Sequence, residues 1–278
     1  MGKQENIKIF EDTETLCKTN SSLKQSIKNS IRNQKLILQN QRINSNNQKR
    51  YEKPANIIVS KKRTLQAASA YKNTKTAVHN FASATNPGGG VKRGSNAQEE
   101  CLCRCSGLYV CLSTQTMWDG FYFPHRQAHN PIYNDDIIYT PAVTVFKTDT
   151  EQPEIMDASD WYNVDVITCA APNLRVKNNY NGKSSYNNAK KMTNDELLKL
   201  HEKRLKRILD TALSEDDETI ILGAFGCGAF MNDPQIVAQA AKNVIREYLY
   251  SFKNIEFAVY CSPRDDRNYR IFDRVLKK

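Results

Sequence analysis

Phe81-Ala-Ser-Ala-Thr-Asn-Pro-Gly-Gly-Gly-Val-Lys-Arg-Gly-Ser-Asn-Ala-Gln-Glu-Glu100 is the stretch on which the fold turns. It follows Thr76-Ala-Val-His-Asn80, a short apolar run that reads as a strand, and it opens a helical pattern over 97–115. Three consecutive glycines carry no Cβ, so this backbone can come close to a ligand and turn its N–H groups toward an anion. In an open α/β sheet, the loop beyond a strand's carboxyl end is where ligands bind. The plainer alternative for Gly88, Gly89 and Gly90 is a flexible surface turn.

A second loop of the same kind is Gly223-Ala-Phe-Gly-Cys-Gly-Ala-Phe-Met-Asn-Asp-Pro-Gln235. It leaves the apolar run Thr219-Ile-Ile-Leu-Gly223 and enters a helical pattern over 234–252. Asn232 or Asp233 is the candidate N-cap, and Pro234 suits the first helical position. A glycine-rich loop ending in a helix N-terminus is a ready anion site. No Gly-Lys-Ser/Thr closes it, so it is not a P-loop, and no following βαβ unit supplies the acid of a dinucleotide turn. Two such loops suggest one diphosphate held between them. Further strand-like runs lie at Asn56–Ser60, Ile137–Phe146, Val164–Cys169 and Ile255–Cys261, with helical patterns over 193–214 and 265–276. This alternation predicts an α/β sandwich with a largely parallel central sheet. Pro141 inside its run marks a bulge or an edge strand. Residues 173–192 read as a surface loop, and no internal repeat stands out.

Gln98-Glu99-Glu100 closes the first stretch. Two adjacent acids at a helix start are favoured by the helix dipole, and such acids are commonly solvated. Here they sit seven residues beyond the triple glycine, close enough to face the neighbourhood of a bound diphosphate. A carboxyl group at that place can protonate a glycosidic oxygen.

Residues 1–53 differ from the rest: rich in Asn, Gln, Ser and Lys, they hold 11 Lys+Arg against 5 acids, a surplus of +6 in a chain of net charge +10. Ile7, Phe10, Leu16, Leu23, Ile27 and Ile31 fall at helical spacing, which predicts helices packed on the remainder, 54–278; the alternative is a solvated basic tail. With 40% hydrophobic and 25% charged residues the composition is that of an ordinary globular protein. No stretch approaches eighteen apolar residues, which predicts no membrane association. The start lacks the apolar core of a secretory signal, so the expected location is intracellular, cytoplasmic or nuclear, and Asn20-Ser21-Ser22 is a chance sequon. The eight cysteines form no Cys-x-x-Cys and read as reduced thiols, with no metal site. The positive balance favours an acidic partner or substrate.

Gly88-Gly89-Gly90, seven residues, then Gln98-Glu99-Glu100 resembles the signature of the poly(ADP-ribose) glycohydrolases, and Asn80 to Pro87 with Ser106-Gly107-Leu108-Tyr109 is similar to the microbial type of that family. The second glycine loop, Val164 to Asn173 and, more weakly, Phe10 to Leu16 resemble other segments of it. The resemblance implies a macrodomain-like three-layer α/β/α sandwich with a mixed, largely parallel sheet and an N-terminal helical extension. It implies hydrolysis of ribose–ribose O-glycosidic bonds in poly(ADP-ribose), with Glu100 as general acid and then base. Glu99 would hold hydroxyls of the departing sugar, with Gln98 supporting the pocket. Gly88, Gly89, Gly90 and Val91 would meet the diphosphate, Gly226, Cys227, Gly228 and Ala229 would wrap its other side, and Phe230 would pack on the terminal ribose. Asn80 and Asn86 are further substrate-binding candidates. The implied substrates are poly(ADP-ribose) or ADP-ribosylated proteins and the product is ADP-ribose, handled by a monomer without cofactor. Two alternatives remain open: a macrodomain that binds ADP-ribose without cleaving it, and a hydrolase of mono-ADP-ribosylated proteins. Cys227 as a nucleophile lacks a nearby His in sequence.

Overall fold

The computed structural model describes residues 2–45, 49–175 and 192–277. Its strands are β1 (Lys35–Ile37), β2 (Asn56–Ser60), β3 (Thr76–Phe81), β4 (Ile137–Val145), β5 (Tyr162–Cys169), β6 (Thr219–Leu222) and β7 (Asn254–Ala258). Its α-helices are α1 (Lys3–Thr19), α2 (Ser21–Asn33), α3 (Thr64–Ala68), α4 (Gln98–Cys105), α5 (Leu108–Leu112), α6 (Gln115–Met117), α7 (Phe123–Ala128), α8 (Asn194–Ser214), α9 (Pro234–Ile245) and α10 (Arg267–Leu276). The strands form one sheet in the order β1-β4-β5-β3-β6-β7-β2. From β5 to β2 every pairing is parallel, while β1–β4 and β4–β5 are antiparallel. The sandwich and its largely parallel sheet are therefore as expected.

Alternation along the strands makes the three layers. Ala77, Ile167, Ile220 and Ile255 pack with Ile208 and Leu209 of α8, Val237 and Ala241 of α9, and Phe272 of α10. Val78, Val166 and Ile221 face the other way and pack with Phe10 of α1, Leu102 of α4 and Leu108 of α5. β3 and β6 are parallel neighbours, so the loops leaving Phe81 and Leu222 emerge from the same edge of the sheet. That adjacency brings the two glycine loops together.

Pro141 sits at a bulge: the β4–β5 register shifts between Thr140 and Val143. β4 lies between β1 and β5, so it is not an edge strand. Ala142 takes a φ of 50°, and its N–H donates to Asp165 Oδ1 at 2.7 Å. The single helical pattern over 97–115 is broken at Ser106, whose extended backbone bridges to Val145. β1 was not anticipated, since three residues give no alternation to read. Residues 176–191 of the expected surface loop lie outside the described residues. Asn20 of the sequon caps α2, accepting from Leu23 N–H at 3.0 Å. All eight cysteines are free, and no helix among the described residues is long and apolar enough to cross a membrane.

α1 and α2 bury one face each: Phe10, Cys17, Leu23 and Ile27 are all buried. Polar anchors fix them. Asn6 Nδ2 donates to Gly94 O at 3.0 Å, and Thr13 Oγ1 to Arg104 O at 2.6 Å. Gly94 has a φ of 72°, and a Cβ there would lie 2.2 Å from Lys3 O, so only glycine lets α1 sit down on this loop. Phe10→Ala is expected to cost about 3–5 kcal/mol. Denaturant unfolding at 50 mM and 500 mM salt checks this; an apolar contact gives the same loss at both, whereas a solvated tail gives none.

Candidate active site

Gln98 opens α4 and sets its height against the sheet. Beyond Val78, β3 has no β6 partner. The Gln98 carboxamide takes that place: its Oε1 accepts from Phe81 N–H at 2.9 Å, and its Nε2 donates to His79 O at 2.7 Å and to Thr64 Oγ1 at 3.1 Å. A parallel strand would bond the same two backbone groups through one residue. Gln98 thereby locks the first turn of α4 to the end of β3.

Glu99 and Glu100 follow, both buried. Glu99 accepts from Ser83 N–H at 2.7 Å, from Gly88 N–H and, at 3.4 Å, from Asn80 Nδ2. Glu100 accepts from Gly90 N–H at 2.8 Å and from Ala97 N–H, at the start of its own helix, at 2.9 Å. Burial, reinforced by the neighbouring Glu100 charge, pushes the Glu99 carboxyl up to about 8 despite its hydrogen bonds. Glu99 therefore carries a proton at neutral pH. Asn80 is fully buried, tied to Thr168 Oγ1 at 3.2 Å, and reaches Glu99 from behind.

The triple glycine serves these carboxylates. Gly88 and Gly90 turn their N–H groups onto Glu99 and Glu100, and Gly89 N–H closes a turn on Asn86 O at 3.0 Å. Gly89 has a φ of 61°, and a Cβ there would lie 2.5 Å from Glu100 Oε1 and 3.0 Å from Glu99 Oε2. The expectation that this loop aims its N–H groups at a ligand is corrected accordingly: those of Gly88 and Gly90 are spent on the protein's own acids and that of Gly89 on Asn86 O.

The second loop is built differently. Asp233 is the N-cap of α9, accepting from Gln235 N–H at 2.8 Å, with Pro234 in the first turn. Asn232, buried, donates through Nδ2 to Pro172 O (2.8 Å), Gly226 O (3.1 Å) and Phe230 O (3.3 Å). Its Oδ1 meets His201 Nε2 at 2.8 Å. With the loop carbonyls pulled inward, the N–H groups of Gly226, Gly228, Ala229 and Phe230 have no acceptor among the described residues. Cys227 N–H closes a turn on Ala224 O at 3.1 Å.

Between the loops lies a cleft of about 350 Å³. Glu99, Glu100, Gly89 and Gln98 line one side, Gly226, Gly228, Ala229 and Phe230 the other. Asn80, Asn86, Gly88, Gly90 and Cys227 are not among the lining residues; Val91 is buried in the apolar cluster of Phe10 and Leu102. The cleft also uses residues that no local pattern marks: Ser83, Arg63 after β2, and Val259 and Tyr260 after β7. The Arg63 guanidinium lies 4.1 Å from the Tyr260 ring centroid, and both side chains bond Glu151. Burial drives His79 down to about 3 and His201 to about 4, so both are neutral, and it pushes the Cys227 thiol up. Glu99, which lines the cleft, holds its proton near neutrality. Among the described residues no group of three His, Cys, Asp or Glu side chains could hold a metal ion.

The family model of the microbial-type PARG catalytic domain matches residues 3–148. The chain is similar to the crystal structure of poly(ADP-ribose) glycohydrolase from Thermomonospora curvata, at 26% identity and a TM-score of 0.83, over 98% of this chain and 99% of that one. A Thermomonospora curvata structure of the enzyme bound to the inhibitor ADP-HPD matches over the same shares at 26% identity and a TM-score of 0.80. The Deinococcus radiodurans glycohydrolase in complex with ADP-ribose is similar at 29% identity and a TM-score of 0.77, over 90% of this chain and 96% of that one. No curated protein matches the chain.

Two outcomes follow from the carboxylate cradle. Gly89→Ala should lower kcat/KM roughly 100-fold by displacing Glu100, while far-UV circular dichroism stays native. Glu99 sits above the ordinary carboxylate value in the folded state, so the folded protein holds more protons between pH 4.5 and 8 and loses stability as pH rises through that window. Glu99→Gln should therefore raise Tm at pH 8.5 and give progressively less benefit toward pH 5, measured by thermal melts.

Proposed function

The chain belongs to the family of microbial-type PARG catalytic domains, and from that premise we propose that it hydrolyses poly(ADP-ribose) to ADP-ribose. The observation that carries this reading is the pairing, across one cleft, of two buried carboxyls with a glycine loop of unoccupied N–H groups. The N–H groups of Gly226, Gly228, Ala229 and Phe230 suit the diphosphate, and an anion there gains hydrogen bonds without displacing any the protein makes. Phe230 packs on the terminal ribose, and the wall of Val259 and Tyr260 offers the base a flat apolar surface.

In this reading Glu100 acts at the scissile bond. Backbone N–H groups of Gly90 and Ala97 hold its carboxyl, so its position is set by main chain rather than by a mobile side chain. Burial keeps a proton on the adjacent Glu99 up to about pH 8, so the group beside Glu100 stays neutral below that. Glu100 protonates the leaving ribose oxygen as an oxocarbenium-like centre forms, then removes a proton from the attacking water. Glu99 holds hydroxyls of the departing sugar, and Asn80 and Gln98 keep the two acids on the sheet end.

Incubation with purified poly(ADP-ribose) and chromatographic identification of the product tests the activity: free ADP-ribose is expected, and an unchanged polymer would sink the reading in favour of a non-cleaving binder. Glu100→Gln keeps the shape but cannot supply the proton, so turnover should fall by about 10²–10⁴ with ADP-ribose affinity retained, by calorimetry. In the native protein kcat/KM should decline as pH rises through about 8, where Glu99 loses its proton.

A further inference from the structure

Helix α2 carries a short repeat: Lys24-Gln-Ser-Ile27, Lys28-Asn-Ser-Ile31, Arg32-Asn33, a cation, an amide, a serine and an isoleucine every four residues. The inner half of the repeat is explained by packing. Ile27 is buried and Ile31 packs against the same apolar cluster. Ser26 Oγ lies 2.6 Å from Thr144 Oγ1, and Ser30 Oγ donates to Ala142 O at 3.1 Å. In the outer half the amides bond along the helix, Gln25 Nε2 to Asn29 Oδ1 at 3.0 Å and Asn33 Nδ2 to Asn29 O at 2.9 Å, but the cations are left unexplained. Lys24, Lys28 and Arg32 are exposed, as are Gln25, Asn29 and Asn33. None of the three cations has an acidic partner among the described residues, and α2 itself contains no acid.

Such a row works against the helix that bears it. Like charges at i and i+4 repel, and Lys24 stands in the first turns, where the helix dipole is unfavourable to cations. α1 behaves oppositely, mixing Lys3, Lys8 and Lys18 with Glu5, Glu11, Asp12 and Glu14. The row also has a direction. Ser26 faces Thr144, Ser30 faces Ala142 and Gln34 Nε2 donates to Thr140 Oγ1 at 2.8 Å, so α2 climbs β4 toward its beginning. There Ile138 pairs with Thr168, at the sheet edge from which the cleft opens. Each step of four residues advances about 6 Å along the helix.

We propose that this face of α2 holds the anionic ADP-ribose polymer beyond the unit in the cleft, the cations meeting phosphates and the amides meeting sugars and bases. This rests on the functional reading above. It makes α2 a second, sequence-independent contact whose strength depends on salt.

The test is Lys24→Gln/Lys28→Gln/Arg32→Gln in the full chain, with three measurements. Native protein and variant are compared for KM and kcat on long poly(ADP-ribose) from 50 to 500 mM salt, for calorimetric affinity toward free ADP-ribose, and for Tm. KM on polymer should rise about tenfold at 50 mM salt and converge with native at high salt, the log–log salt slope falling by about 2 for three lost contacts. Affinity for free ADP-ribose, kcat and Tm should stay at native values. Unchanged KM on polymer at low salt overturns the proposal, as does an equal loss toward free ADP-ribose. A single-stranded RNA that competes with the polymer equally well through the same three residues overturns its commitment to this polymer. Native protein that binds no ADP-ribose is a different failure, that of the functional reading itself.

Discussion

Two adjacent carboxyls buried at one helix start are the constraint from which the rest of the site follows. Burying such groups is costly unless hydrogen bonds meet them. Four backbone N–H groups do so here, from Ser83, Gly88, Gly90 and Ala97. To deliver them, the chain must wrap tightly around the acids between β3 and α4, which requires glycine where a Cβ would strike Glu100. The wrap must then turn back into the helix, and it does so at Gly94, where α1 is seated. The core helices, the sheet end and the N-terminal segment are thereby coupled to two side chains.

The two glycine loops divide the work. The first spends its N–H groups internally and fixes acids. The second keeps several N–H groups free because one asparagine side chain draws its carbonyls inward, backed by a neutral buried histidine. One loop offers carboxyl oxygen, the other offers hydrogen-bond donors, and the cleft separates them. That opposition of character across a short gap is what a substrate with both an anionic diphosphate and a labile glycosidic bond requires.

Much of this was legible in the sequence. The strand runs at 56–60, 164–169 and 219–223 stand in the sheet because short β-branched runs with proline or glycine close by leave few other options, and 76–80 joins them as a short run between polar stretches. Pro141 was correctly a warning of a bulge, since a ladder cannot use its missing N–H. Glu99, Glu100 and the second loop were visible as motif. What stayed hidden depends on distant partners. β1 is three residues long and is a strand only because β4 lies beside it. The α4–α5 break comes from Ser106 bridging to Val145, which no local pattern announces. Arg63 and Tyr260 reach the cleft from opposite ends of the chain. The pairing of the Gly88 and Gly90 N–H groups stayed hidden because its partners, Glu99 and Glu100, are close only after folding.

The sheet order carries a consequence for how the molecule is made. β2, the five residues Asn56–Ser60, pairs with β7 alone, at Asn254–Ala258. α1 and α2 likewise rest on residues between Gly94 and Lys147. On a ribosome releasing the chain from its amino end, the first two helices emerge with their apolar faces uncovered, and the outermost parallel strand waits for nearly two hundred further residues. The sheet's last seam closes only once β7 has been made. Until then Ile57, Ile58 and Val59 have no strand to join, and β2 is an unpaired edge.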